Sequence, residues 1–591
     1  MVKQPKSASQ NHNKVPMTTL TARPNNPAAA SHLQASGHSP LLARLLASRG
    51  IDDAADARLE LAGLLAPEGL LGIDTAARHL ADAIEQHKHL VIIADYDCDG
   101  ATACAVALRG LAMLGARPGT LHHVVPDRAV HGYGLTPPIV DLARVFDPAL
   151  LVTVDNGIAG HAGIDHAHAL GIQVLVTDHH LPAVNAEGRP DLPAADVIVD
   201  PSQPGCAFES KAIAGVGVMF YVLLALRAEL RRRGRFDAAS QPRLDALLDL
   251  VALGTVADVV KLDANNRRLV SQGLRRIRAG RMQPGVAALF AAAGRDPQRA
   301  GSTDFGFALG PRLNAAGRLA DMSIGIACLL CDDPAQAAEL ARTLDAINRE
   351  RRDVEAGMRE QAALLLESLM PAGTPPPAIV LHDEAFHEGV VGIVAGRLKE
   401  RLHRPTFVFA LGGDGLLKGS GRSIPGFHLR DALDRVSKRH PALLRRFGGH
   451  AMAAGCTIAP QDFDAFAQAL QDIAREELDE ATLQRRLATD GPLELRWFEA
   501  DTVSLLEAQV WGQAFDAPVF VDEVEVVKQR LIGGDKHLKL SVRHAGQLRD
   551  AIWFHHAEPV PERVRLAYRL ALDTWQGQSR VQMMVEAAEP L

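Results

Sequence analysis

From about residue 40 to residue 330 the chain alternates apolar runs of four to six residues with longer stretches of helical periodicity. VIIA (91–94) leads into TACAVALRGLAML, LLVTV (150–154) into GIDHAHAL, and VLVT (174–177) and VIVD (197–200) follow. Such a βαβα series requires a parallel sheet covered by helices on both faces. Unpaired acids and histidines stand where these runs stop. Asp95, Asp97 and Asp99 follow VIIA, and Asp155 follows LLVTV. Asp178, His179 and His180 follow VLVT, and Asp258 ends the apolar LLDLVALGTVA, read as a further strand. The carboxyl ends of parallel strands share one sheet edge, so Asp95 and Asp258 are expected to meet there.

Five or more carboxylates with one or two imidazoles repel one another strongly at close range, so the cluster calls for a cation. Oxygen ligands with some histidine and no thiolate suit Mn²⁺ or Mg²⁺ better than structural zinc. One bridging carboxylate could hold two ions about 3.5 to 4 Å apart and activate water for attack on phosphorus. Each piece has a plainer reading. Asp99 before Gly100 could be only a helix cap, Asp155 with Asn156 and Gly157 only a turn, and the His pair only satisfied core. Four such sites in series favour a shared centre.

With 591 residues, 47% of them hydrophobic and 23% charged, the chain is long enough for three or four domains. Its 63 basic and 70 acidic residues leave a net charge of −7, which excludes a uniformly basic nucleic-acid binder. The longest apolar stretches are broken by charge, so no membrane span is expected. Six scattered cysteines without a disulfide framework point to a reducing cytoplasm. Residues 1–38, rich in Ser, Asn, Pro, Ala and Gln, read as a disordered tail.

Beyond the α/β domain at 39–332, which carries the candidate catalytic cluster, residues 333–372 read as one long connecting helix ending at Pro371. A smaller α/β domain spans 373–478. The last segment, 479–591, holds all four tryptophans among short alternating runs and suggests a small antiparallel barrel. Trp497, Trp511, Trp553 and Trp575 could stack on bases, although core is the better reading for any one of them. Residues 401–450 carry ten Lys and Arg against three Asp, and 265–281 carry six Arg and no acid. Both islands could seat a polyanion, but the 265–281 run reads more as a solvated helix face. In the first, Gly419, Gly421, Gly448 and Gly449 would let backbone N–H groups approach an anion. Arg128, Arg312 and Arg318, with Asn314, are further candidates for phosphate contacts.

ADYDCDGATA (94–103), VTVDNGIAG (152–160), TDHH (177–180) and GTVADVV (254–260) resemble the four motifs of the DHH phosphoesterases. GPRLNAAGRL (310–319) resembles the RecJ-like single-stranded-DNA exonucleases of that family. HEGVVGIVAGRL (387–398), KGSGRS (418–423) and FGGHAMAAG (447–455) resemble its associated substrate-binding domain, and the tryptophan-rich barrel resembles an OB-fold. The resemblance implies that Asp97, Asp99, Asp155, His179 and Asp258 hold two Mn²⁺ or Mg²⁺ ions, with Asp155 bridging. Asp95 and Asp178 match motif positions as supporting groups. It also implies that His180 faces the scissile phosphate, that Ser420 and Arg422 hold a terminal 5′-phosphate, and that His450 lines the same cleft.

Ala94 and Cys98 depart from the commoner Gly and Ala of the first motif without removing a ligand. The implied activity is 5′-to-3′ exonuclease action on single-stranded DNA in recombination and repair. The implied setting is a cytoplasmic monomer working beside a single-strand-binding protein and a repair helicase. A DHH phosphodiesterase for very short RNAs or cyclic dinucleotides would be shorter and lack the barrel. A non-catalytic DNA-binding subunit would have lost ligands.

Overall fold

The computed structural model describes residues 18–127, 130–185, 187–369, 375–573 and 580–591. Its first elements are a short strand, β1 (Thr19–Ala22), and the helices Pro27–Ala35 and Pro40–Ala47. Each helix opens on proline, and Asn26 and Ser39 accept N–H bonds from Ala29 and Leu42, which fixes their starts. Leu33, Leu41, Leu45 and Leu46 are buried in the main core. The expected disordered tail therefore needs correction: it is ordered from residue 18 onward, and residues 1–17 lie outside the described ones. Its few leucines suffice because the neighbouring domain supplies the rest of the apolar surface.

The first α/β domain is built on β2 (Leu90–Ala94), β3 (Leu121–Val124), β4 (Leu150–Val154) and β5 (Gln173–Thr177). A two-stranded ribbon, β6 (Ala183–Val184) and β7 (Pro190–Asp191), precedes the last sheet strand, β8 (Val197–Val199). The sheet is wholly parallel in the order β3-β2-β4-β5-β8. Alternate side chains feed two cores. Leu90, Ile92, Val152 and Val154 pack under the helices Cys98–Met113 and Gly215–Arg232, while Val91, Ile93 and Leu151 pack under Pro137–Ala143 and His161–Ala169. Burial on both faces explains why these strands are apolar throughout.

LLDLVALGTVA is not a strand. Residues Leu248–Ala257 form a helix ending at Asp258, packed against Cys98–Met113 and Ala264–Arg278. An apolar run buried on every side carries no period that separates helix from strand.

The helix Pro334–Leu369 joins this domain to the next, as the absence of internal proline predicts. There β9 (Ile379–His382), β10 (Thr406–Leu411), β11 (Leu417–Arg422), β12 (Arg446–Gly449) and β13 (Ala453–Ile458) form a mixed sheet in the order β12-β13-β11-β10-β9. The connecting strand β14 (Arg486–Thr489) pairs with β1, and β15 (Phe520–Ile532), β16 (His537–His544), β17 (Gln547–Trp553), β18 (Arg563–Asp573) and β19 (Arg580–Pro590) close a barrel. Among the described residues no helix is long and apolar enough to cross a membrane.

Candidate metal centre and cleft

Three parallel strands end at the same edge, and each delivers an acid. After β2, the Asp97 side chain accepts N–H bonds from Asp99 and Gly100, capping the helix Cys98–Met113. Asp99 then lies buried against the start of the helix Gly215–Arg232, where Gly215 N–H and Val216 N–H donate to its carboxylate at 2.7 and 3.0 Å. After β4, Asp155 is held at φ 62°, a left-handed conformation that costs a non-glycine residue energy and marks functional sites. A Cβ on Gly215 would lie 2.6 Å from the Asp155 Cβ, so glycine is what lets this helix approach. Asp258 joins them from the C-terminal end of Leu248–Ala257.

His179 Nε2 lies 3.1 Å from Asp155 Oδ1 and 3.5 Å from Asp258 Oδ2. Among the described residues, none of these three buried atoms has a hydrogen-bond partner, nor does Asp95 Oδ1. Three overlapping groups could hold an ion: Asp95 with Asp97 and Asp155, Asp99 with His179 and Asp258, and Asp155 with His179 and His180. Burial, with Asp97 beside it, pushes Asp99 up to about 7. Burial and the neighbouring carboxylates likewise push Asp155, Asp258 and Asp95 well above the usual range. Burial, aided by His180, lowers His179 to about 3, so its imidazole is neutral and able to ligate. Crowded carboxylates, a neutral imidazole and unpartnered buried donor atoms fit divalent cations with a preference for oxygen.

His180 is set differently. Burial alone would lower it, but Asp178 Oδ1 lies 2.7 Å from His180 Nδ1 and raises it to about 10. Asp178 resists burial through that bond and through N–H bonds from His179 and Ile158, and falls to about 2. The result is a fixed imidazolium beside the carboxylate cluster. Across the cleft, His450 of the second domain stacks on His180. Burial and the His180 charge hold His450 below its ordinary range. Sequence reasoning missed Tyr133, whose hydroxyl lies 3.3 Å from His180 Nδ1 and donates to the Asp155 carbonyl at 3.2 Å. Its signal was the flanking pair Gly132 and Gly134, both at positive φ.

Ser420, Arg422 and Arg318 line a cavity of about 930 Å³ between the two domains, together with Tyr96, His387 and Lys418. Arg422 donates to Ser420 Oγ at 3.1 Å, and Arg318 donates to the Gly389 carbonyl, joining the domains. Asn314 lies behind the loop carrying Asp95, Asp97 and Asp99, its Oδ1 accepting the Cys98 N–H at 2.7 Å. Arg312 does not reach the cleft. It is buried in a two-pronged ion pair with Asp345 of the connecting helix, because its helix packs there. Arg128 lies outside the described residues.

The arginine island at 265–281 is also structural. Arg267 donates to the Asp56 carbonyl, Arg268 to those of Ala55 and Arg58, and Arg278 to that of Ala300. In the 401–450 island, Arg435 and Arg439 are paired with Glu476, and Arg404 is buried on backbone carbonyls. Trp511 is buried in the loop ahead of the barrel, Trp553 stacks on His556, and Trp575 lies outside the described residues.

A parallel sheet that gathers carboxylates and a histidine pair at one edge, facing a second α/β domain, defines a metal-dependent phosphoesterase of the DHH class. Three family descriptions match in order: the DHH family N-terminal domain at 89–255, the DHHA1 domain at 376–476 and the RecJ OB domain at 489–587. The single-stranded-DNA-specific exonuclease RecJ of Salmonella typhimurium is 46% identical over 93% of this chain and 96% of its own length. That of Escherichia coli is 45% identical over the same shares. A crystal structure of RecJ with Mn²⁺ from Thermus thermophilus superposes with a TM-score of 0.79 at 29% identity, covering 97% of this chain and 80% of that one. A second from that organism contains Mg²⁺ and has a TM-score of 0.74 at 28% identity, covering 97% and 78%. The chain belongs to the RecJ family.

Proposed function

We propose that this chain is a single-stranded-DNA exonuclease that hydrolyses phosphodiester bonds from the 5′ end with two Mn²⁺ or Mg²⁺ ions and releases 5′-mononucleotides. The observation that carries the reading is the convergence of Asp155 Oδ1, His179 Nε2 and Asp258 Oδ2, buried and without hydrogen-bond partners. Asp97, Asp99, Asp155, His179 and Asp258 would hold the ions, with Asp155 shared between them and Asp95 supporting. Bound there, divalent ions supply an activated water and offset the negative charge that develops on the phosphate.

The protein's own groups then position the strand. His180, kept charged by Asp178, donates to a phosphate oxygen and stabilises its charge. Tyr133 orients the His180 ring. His450 closes the cleft from the opposite domain. Ser420 and Arg422 receive the terminal phosphate, Arg as a planar donor pair. With the terminus held by one domain and the reacting bond by the other, a flexible single strand fits where a duplex enters poorly. The closed barrel supplies a second surface for the strand, in keeping with OB-folds generally. The proposal extends to a role in recombination and repair beside a single-strand-binding protein and a helicase, with the enzyme acting as a cytoplasmic monomer.

Digestion of matched 5′- and 3′-labelled oligonucleotides with Mn²⁺ tests this reading. Labelled mononucleotide is expected early from the 5′-labelled strand only. Early release from the 3′ label, or equal digestion of duplex, would overturn it.

A further inference from the structure

We propose that the N-terminal segment is a clasp that fixes the barrel on the catalytic domain, with Arg49 and Asp490 as its positioning residues. By doing so it sets how far a long strand is digested in one encounter. The idea rests on the hydrolytic reading above.

The chain passes from the second domain to the barrel through β14 and Asp490, and the segment that follows already shares the main core through Leu493, Phe498 and Trp511. To this packing the N-terminal segment adds directed bonds: β14 pairs in parallel with β1, extended by bonds from Thr19 N–H to the Arg485 carbonyl and from Arg23 N–H to the Thr489 carbonyl. Leu20 N–H also donates to Glu589 on the last barrel strand. Asp490 follows directly. Arg49 grips it with two bonds of 2.7 and 3.0 Å, and the two side chains are only 1% and 2% exposed. Arg49 also donates to the Asp516 carbonyl and lies over the Trp511 ring, and Arg44 donates to the Asp490 carbonyl. Asp490 in turn accepts the Val519 N–H, one residue before β15.

A buried two-pronged ion pair fixes register because its geometry tolerates little displacement. These residues line neither the cleft nor the carboxylate cluster, so catalysis does not account for them. Linking two binding surfaces rigidly raises the effective concentration of one for the other, and that gain is lost when the linkage loosens.

The test uses full-length Asp490→Asn and Thr21→Pro variants. The first leaves Arg49 unmatched. The second removes a β1–β14 backbone bond at Thr21, a half-buried position outside the main core. Each is assayed on a 5′-phosphorylated tetranucleotide and on a strand several times longer than the roughly 16 nucleotides an OB-fold can cover. With a trap preventing rebinding, tetranucleotide turnover is expected to stay within about twofold of the unaltered protein, while nucleotides released per encounter with the long strand fall about tenfold. Equal losses at both lengths, or undiminished long-strand digestion in both variants, would overturn the clasp. If the unaltered protein digests neither strand, the hydrolytic reading fails instead. The clasp is then judged by long-strand affinity, which weakens in both variants if it holds and is unchanged if it does not.

Discussion

His180 and His450 face each other from different domains, their rings 20° from parallel with centroids 6.3 Å apart. Asp178 raises the first, while partial desolvation and the His180 charge lower the second. The contact brings a side chain of the second domain to the edge of the carboxylate cluster. His450→Ala is expected to lower kcat/KM on single-stranded DNA on the order of tenfold or more, while divalent-ion affinity stays near that of the unaltered enzyme. Calorimetric titration of the ions beside steady-state kinetics separates the two effects.

The charge on His180 depends on Asp178, so Asp178→Asn should return His180 toward its ordinary range near 6.5. The imidazolium of the unaltered protein persists until the pH rises through about 10. The variant should therefore keep most of its relative activity below about pH 6 and lose it through neutrality, shifting the alkaline limb of the pH–rate profile downward. An unmoved limb would remove the imidazolium from the account.

Metal removal should make stability depend on pH in a direction opposite to that of ordinary paired carboxylates. A buried acid with a raised pKa binds protons in the folded state that the unfolded chain releases, so stability falls as pH rises between the two values. For Asp99 that window runs from the ordinary value of 3.8 to about 7, and Asp155, Asp258 and Asp95 extend it. In chelator the Tm should fall from pH 5 to pH 8, and Mn²⁺ should flatten the slope. Asp155→Asn should raise the Tm in chelator while lowering activity at least about 100-fold. Thermal melts at matched ionic strength check both.

Two arginines that look alike in sequence should behave differently. Arg312→Ala removes one of the two arginines on Asp345, leaving Arg349, and should cost about 1 to 3 kcal/mol of stability with little effect on KM. Arg422→Ala, in the cleft, should leave the Tm nearly unchanged and raise KM for 5′-phosphorylated strands. Denaturant melts and kinetics on phosphorylated and unphosphorylated ends distinguish them.

What the sequence showed follows from where its pattern had physical force. Strands buried on both faces are apolar throughout, so the acids ending them stand out, and Asp97, Asp155 and His179 could be placed at one edge before any coordinates. Asp258 was legible as an acid of the site but not as a helix terminus, because Leu248–Ala257 is buried on every side. Arg312 looked like an anion ligand, and Arg267 and Arg268 like part of a solvated helix face, because charge alone does not reveal Asp345 or a backbone carbonyl as the partner. The pairing of β1 with β14 was invisible, since it joins segments more than 450 residues apart through backbone bonds that leave no side-chain pattern.

The central claim is that the buried cluster around Asp155 and His179 holds a pair of divalent ions. Mn²⁺ titration followed by electron paramagnetic resonance tests it most directly. Two ions per chain with a spin-coupled spectrum, as expected for ions about 3.5 to 4 Å apart, are predicted, together with loss of the coupling in Asp155→Asn. A single uncoupled ion, or a coupled pair that survives Asp155→Asn, would contradict the account.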